Sequence, residues 1–555
     1  MDDPDVLTGV VADEEPELHP GAAAAASRMG ASSARVLARA GLIVTGLFLL
    51  SRVLGYVRTF AYAAAYPDVV QLAPFLAAFR IPDFLFQLVA AGALSSALIP
   101  VVAGLFAKGE EARAWRVVST VSTLMLSVLL VLAGLVMWFA PELVAIITPG
   151  FDAEQLAQET ELTRIMVLSP MLLAAGAIAT SVLNSRERFG AAALAPLVYN
   201  LALIFGAVAL VPVFGVHGLA YGVVLGALGH ILVQVPSLVR IGARIRPFVD
   251  LRDGEARVAL LLMVPRAIGL GATQIVFLVM TSLASTLGDE AVPVFSFAFL
   301  MLQIPIGVIG VPLGIVLLPS LSREAALGAG EGFTRLVTRA LAVLGFVMVP
   351  MAALGIVVSG DIIRLLFGPT GMTGSALTAT AAALAVFLVG LTAHSLITVL
   401  ARSFYALKDT ATPVAAALVA VAANILIANV LVGPLGLNGL AAAIAISAWI
   451  ETTVLVALLL RRVPAIRPGM GHVAIVMAKT LVVSFAGALV AYGVQQALAG
   501  ALGGEPGYLA LLLRTALAVA AGGLVVVAGS LALRIDELRS IVGLMADLIR
   551  RRGRA

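Results

Sequence analysis

The chain has 555 residues, 61% hydrophobic and only 12% charged, with a formal net charge of +4. Soluble domains carry about 25% charged residues, so a water-soluble fold is excluded, and so small a positive balance gives no case for a nucleic-acid partner. Cysteine is absent, which removes disulfides, thiolate nucleophiles and cysteine metal sites.

Residues 1–35 form an acidic, alanine-rich tail, with DDPD, ADEEPE and GAAAAAS, that reads as disordered and cytoplasmic. It lacks the basic start and short apolar core of a signal peptide. Fourteen apolar runs follow, at 40–62, 70–105, 116–140, 161–183, 191–213, 217–239, 258–285, 293–321, 337–358, 374–401, 412–432, 438–460, 473–496 and 508–533. Runs of about 20 residues cross a bilayer core of about 30 Å as helices. The alternating strands of a β-barrel are missing. The expected fold is therefore an all-α polytopic membrane protein with 14 transmembrane helices, numbered here spans 1 to 14. Spans 2, 8 and 10 are long enough to be tilted or broken.

The intervening segments alternate in charge. Lys108/Arg113/Arg116, Arg186/Arg188, Arg240 to Arg257, Arg323/Arg335/Arg339, Arg402/Lys408 and Arg461/Arg462/Arg467 form a basic set. Asp68, Glu142 to Glu161, Asp289/Glu290, Asp361 and Glu505 fall in the acidic or neutral set. Basic loops face the cytoplasm, which places both termini there. Residues 536–555 read as a basic amphipathic tail on the inner leaflet, or as a plain stop-transfer charge cluster.

The chain also repeats itself. Leu183–Asn200 echoes Phe404–Asn424, with Leu183 and Phe404 221 residues apart; Gly218 and Gly439 in GVHGL and GLNGL share that offset; Pro100 and Pro319 are 219 apart. The expected domains are two parallel six-helix lobes, 36–245 (spans 1–6) and 246–465 (spans 7–12), with spans 13 and 14 at 466–535 as an added pair. Transporters built from such repeats hold substrate between the halves.

Charges inside spans are few. Each costs at least about 2.5–3.5 kcal/mol at the bilayer centre, so it usually faces a cavity or a partner. In SRVLGYVR, Arg52 lies about 18 Å into span 1, near the midplane, and Arg58 about 9 Å further along. The bland alternatives are a bond to backbone carbonyls for Arg52 and an outward-snorkelling anchor for Arg58. In FRIPDFLFQ, Arg80, Asp83 and Gln87 share a helix face broken near Pro82. Either Arg80 and Asp83 neutralise each other, or Arg52, Arg58 and Arg80 line one positive cavity. The arginine fork suits phosphate, so that cavity points to a phosphorylated, anionic substrate. Arg266, after Pro265, is a further candidate substrate contact or a helix anchor. Asp83, Gln87, Gln303 and Asn424 are read as supporting residues, the uncharged ones otherwise serving interhelical hydrogen bonds. Spacing supports no phosphate loop, metal cluster or Ser/His/Asp set, so neither an enzyme nor a cofactor is expected.

Taken in order, SRVLGYVR, FRIPDFLFQLVAAGALSSALIP, TPGFD, LNSRERFGAAALAPLVYN, GVIGVPLGIVLLPSLSRE and RSFYALKDTATP resemble a divergent member of the MviN/MurJ lipid II flippase family, within the multidrug/oligosaccharidyl-lipid/polysaccharide exporter superfamily. The resemblance covers about residues 36–535. It implies a flippase that carries lipid-linked peptidoglycan precursor from the inner to the outer leaflet of the bacterial plasma membrane by alternating access. It also implies a groove for the lipid tail at spans 13–14 and cavity arginines at Arg52 and Arg58 that meet the substrate diphosphate, with Arg80 matching a basic position in the second helix. The implied partners are lipid II or a related polyprenyl-diphosphate glycan, membrane lipid and other cell-wall synthesis proteins. The chain departs from the family at Ala73, Phe86, Ala91, Met280 and Leu300, where the family carries charges. Two alternatives follow from that thinning: a flippase for another polyprenyl-diphosphate-linked glycan, or a non-transporting scaffold paralogue.

Overall fold

A computed structural model describes residues 46–47, 49–88, 93–502 and 507–539. The acidic tail and most of the basic tail lie outside the described residues. Within them, eleven helices are long and apolar enough to cross a membrane, or twelve if the pair Gly374–Val389 and Leu391–Ala406 counts as one span bent by 44°. The expected fourteen is not reached on that measure. Expected span 1 falls on helical residues 49–65, and expected span 7 on Gly254–Ser285; both stand outside the tally.

The three spans expected to be broken each depart from a straight α-helix, and each has a local cause. Span 2 runs as Ala73–Ala78, Arg80–Phe86 and Ala93–Ala107. Pro82 sits in the first turn of the middle piece, where its missing N–H has no intrahelical partner to lose. Span 8, Ala291–Ala326, is interrupted by a π turn at Ile306–Gly310. A second π turn, at Gly206–Leu210, interrupts span 5. Both turns end just before a Val–Pro pair, Val311–Pro312 and Val211–Pro212. Widening the turn relieves the clash between a proline ring and the carbonyl four residues back. Span 10 bends at Gly390, where an added Cβ would press on Ala445 of span 12, Leu437–Arg462.

The repeat seen in the letters returns in the backbone. Glu187 and Lys408, 221 residues apart, both take left-handed torsions, with φ of 58° and 60°. Gly215 and Gly436, also 221 apart, have φ of 58° and 54°. The closing hydrogen bonds match as well. Arg188 N donates to Leu183 O, as Asp409 N donates to Phe404 O. At the 219 offset, Glu110 N donates to Leu105 O, as Ala329 N donates to Glu324 O.

One large apolar core joins Phe75, Leu162 and Leu219 to Phe295, Phe297, Phe333 and Phe387. A smaller one centres on Trp115, Met125 and Val182. Spans 13 and 14, Pro464–Ala501 and Tyr508–Ala532, pack on span 9, with Val358 against Ala491 and Ala518. Asp361 corrects the loop reading given above. It lies inside the helix Glu331–Phe367, buried, and forms an ion pair with Arg514. Its carboxylate also accepts from Gln495 Nε2 at 2.9 Å and Thr515 Oγ1 at 3.3 Å. Arg402, grouped with the loop basics by sequence, likewise sits within a helix, Leu391–Ala406.

Candidate functional site

Spans 1, 2 and 8 enclose a cavity of about 250 Å³. Arg58, Thr59 and Tyr62 come from span 1, Phe75, Phe79 and Arg80 from span 2, and Phe295, Ser296, Leu300 and Gln303 from span 8. Arg58 and Tyr62 stand one helical turn apart and so share a face. Arg80 opens the middle helix of span 2, and the break before Pro82 turns its side chain towards span 8.

The two arginines have only neutral partners. Arg80 donates through Nε to Thr281 Oγ1 at 3.0 Å and through Nη2 to Ser296 Oγ at 3.3 Å. Its guanidinium also lies 5.5 Å from the Phe277 ring centre. Arg58 Nη1 donates to Asn200 Oδ1 at 3.2 Å. Asn200 is fixed in turn, donating to Pro196 O at 3.0 Å and Ser51 O at 3.3 Å. The Nε of Arg58 is buried without a partner. Arg58 therefore points inward to span 5 and does not act as an outward anchor.

Asp83 does not neutralise Arg80. Its half-buried carboxylate lies beside the Gln274 and Gln87 side chains, and no ion pair joins it to either arginine among the described residues. Asp83 acts on Arg80, and more weakly on Arg58, through space and without a direct ion pair, so the positive charge on the cavity wall is reduced but not closed.

The structure brings Arg58, Arg80 and Gln303 to one cavity and sets the other expected residues around or away from it. Arg52 is exposed, and an added Cβ at Gly307 of span 8 would overlap its guanidinium. Asp83 and Gln87 stand behind Arg80. Asn424 lies apart from the cavity, buried between spans 11 and 12, donating Nδ2 to Ser447 Oγ at 3.3 Å. Arg266 lies on the helix Gly254–Ser285, with its side chain outside the described residues. Sequence reasoning missed Asn200, Thr281 and Ser296. A lone asparagine in an apolar run was the available signal for Asn200. Hydroxyl residues give no such signal, because they bond their own helix as readily as a neighbour. Among the described residues, no group of three or more His, Asp or Glu is placed to hold a metal.

The family model for lipid II flippase MurJ matches residues 68–510. The chain belongs to the lipid II flippase MurJ family. A relative from Rhizobium tropici, named probable lipid II flippase MurJ, is 33% identical over 439 residues, covering 76% of this chain and 80% of the relative. A lipid II flippase MurJ from Burkholderia cenocepacia is 30% identical over 427 residues, covering 76% and 83%. In fold, the chain is similar to a solved lipid II flippase MurJ in an inward closed conformation, with a TM-score of 0.74, 21% identity, and 89% of this chain and 99% of that one covered. It also resembles an inward-facing multidrug resistance MATE family transporter of the MOP superfamily, with a TM-score of 0.60, 17% identity, and 76% and 95% coverage. The MurJ family is one of membrane transporters rather than a catalytic enzyme class. Two of this member's departures are now placed. Leu300 forms part of the cavity wall, and Met280 is buried in the main core.

Proposed function

We propose that this chain flips lipid II from the inner to the outer leaflet of a bacterial plasma membrane by alternating access. Both termini lie in the cytoplasm, and residues 36–245 and 246–465 rock as two lobes. Spans 13 and 14, residues 466–535, flank the path of the lipid tail. The repeated turn geometry supports the two-lobe division. The single observation that carries the substrate reading is that Arg58 and Arg80 face one cavity with only neutral hydrogen-bond partners. An arginine buried for structure alone is expected to meet a carboxylate; one left open attracts an anion and binds two phosphate oxygens at once. At about 250 Å³ the cavity is smaller than the roughly 300–1,000 Å³ of sites that enclose whole ligands. That size suits a diphosphate rather than a whole lipid-linked glycan.

One observation favours a second reading. Leu300 and its phenylalanine neighbours make the span 8 wall apolar, which suits another polyprenyl-diphosphate glycan with a different head group. Arg80 on the cavity wall favours transport over the scaffold reading, which both arginines turned to lipid or fully paired would have favoured.

The test is surface accessibility of lipid II in cells depleted of their own flippase. Wild-type protein restores outer-leaflet lipid II, while Arg52→Ala and Arg80→Ala variants, inserted at equal levels, do not. A well-inserted wild type that leaves lipid II inside overturns the substrate and passes the site to another lipid-linked glycan.

A further inference from the structure

Span 8 carries a series of arginines from other helices along its length. Arg80 bonds Ser296 near its start. Arg52 lies against Gly307 and Arg402 against Gly314, and an added Cβ at either glycine would overlap the guanidinium. Ser296, Gly307 and Gly314 are separated by about 16 Å and about 10 Å along a helix rising 1.5 Å per residue. Gly314 is buried, so the absence of a side chain there is what makes room for Arg402. Arg402 itself is half-buried. It donates Nη1 to Thr398 O at 2.7 Å, one turn back on its own helix. Thr398 in turn donates Oγ1 to Gly310 O of span 8 at 3.0 Å. No carboxylate pairs with Arg402 among the described residues, and most of its N–H donors are unused.

We propose that Arg402 is a further substrate-contacting residue, supplied by the second lobe, which meets the lipid diphosphate at the inner end of span 8 before it reaches Arg52 and the Arg58/Arg80 cavity. The inference rests on the flippase reading above. Three features set Arg402 apart from a helix anchor. It lacks an acidic partner, it is seated in a glycine notch of the facing span, and it lies in line with two other open guanidiniums. It also restores a positive charge to the lobe whose cavity wall is apolar at Leu300. The diphosphate then meets the guanidiniums in the order Arg402, Arg52 and the Arg58/Arg80 pair.

The decisive experiment uses the full chain in lipid nanodiscs with undecaprenyl diphosphate as probe. Phenylglyoxal modifies accessible arginines, and peptide mass spectrometry follows each site. The probe slows modification of Arg52 and Arg402 together, each by about tenfold. Protection of Arg52 with an unchanged rate at Arg402 overturns the inference and leaves the flippase site standing. Protection of neither overturns the site reading and the inference with it. Arg402→Lys supplies a readout that a structural role does not move. Lysine keeps the charge and the bond to the Thr398 carbonyl but loses the fork. It therefore leaves the thermal midpoint unchanged while weakening undecaprenyl diphosphate binding about tenfold. A lysine variant with wild-type affinity overturns the proposal.

Discussion

Arg514 and Arg80 both lie within the helix bundle, and they are held in opposite ways. Arg514 meets the Asp361 carboxylate, and Gln495 and Thr515 complete the shell around that acid. The charge is closed on itself, and the cluster ties spans 13 and 14 to span 9. Arg80 meets two hydroxyls and a phenylalanine ring, with the Asp83 carboxylate acting only through space, so its charge is solvated but not closed by a direct pair. Burial of an arginine is thus no guide to its role; the charge of its partners is. A closed pair contributes to the packing of three helices, whereas an open guanidinium keeps a potential that an arriving anion can use.

The largest expected effect is on the closed pair. Arg514→Ala leaves Asp361 buried and unpaired, and chemical denaturation in mixed micelles shows a loss of about 3–5 kcal/mol. The double variant Asp361→Leu with Arg514→Leu recovers most of it. A double variant that recovers nothing would break the comparison, because the pair would then not be self-contained. Arg80→Ala gives the reverse pattern. Its stability changes little, while undecaprenyl diphosphate affinity falls about 10- to 100-fold, the worth of one charge-assisted bond at about 1.5–3 kcal/mol. An Arg80→Ala variant that binds normally but unfolds early makes Arg80 a second Arg514. Asn200→Leu removes the neutral partner of Arg58 without removing the charge. Equilibrium binding of the same probe weakens by a few-fold, about 1 kcal/mol.

The smallest effect sharpens the comparison from the cytoplasmic side. Arg113 donates to Asp253 at 2.8 Å and to Glu110 at 3.1 Å, near the surface. The Arg113 hydrogen bond, with backbone donation from Ala256 and Glu255, holds the Asp253 carboxyl below its usual range. A depressed carboxyl stabilises the fold above its unfolded pKa of about 3.9, and that contribution is lost as pH falls through the folded value. Asp253→Asn therefore costs about 0.2–1 kcal/mol at pH 7. The difference from wild type vanishes as pH falls through the depressed folded value, as a thermal-unfolding series across pH would record.

The helices were legible because hydrophobic length is a local property. The breaks were legible too, since proline and glycine act within a turn of where they stand. Asp361 was misplaced because its partner Arg514 lies 153 residues away. A charge at the end of an apolar run looks like a loop until that partner is known. The same logic misfiled Arg402, whose glycine notch is on another span. Arg58 and Arg80 stand out in the sequence because charge inside a span is costly enough to need a reason. The hydroxyls that receive Arg80 do not, because serine and threonine in a membrane helix need none.

The paired bends at Glu187 and Lys408 carry one more consequence. An acidic and a basic residue occupy the same left-handed torsion, a conformation uncommon for any residue but glycine. What recurs along this chain is a path, and the letters along it are replaceable. Glycine at either bend would follow that path more readily than the residue now there. The geometry of the hairpins is thus imposed by the helices they join, and a search for further copies of this architecture should compare torsions before it compares residues.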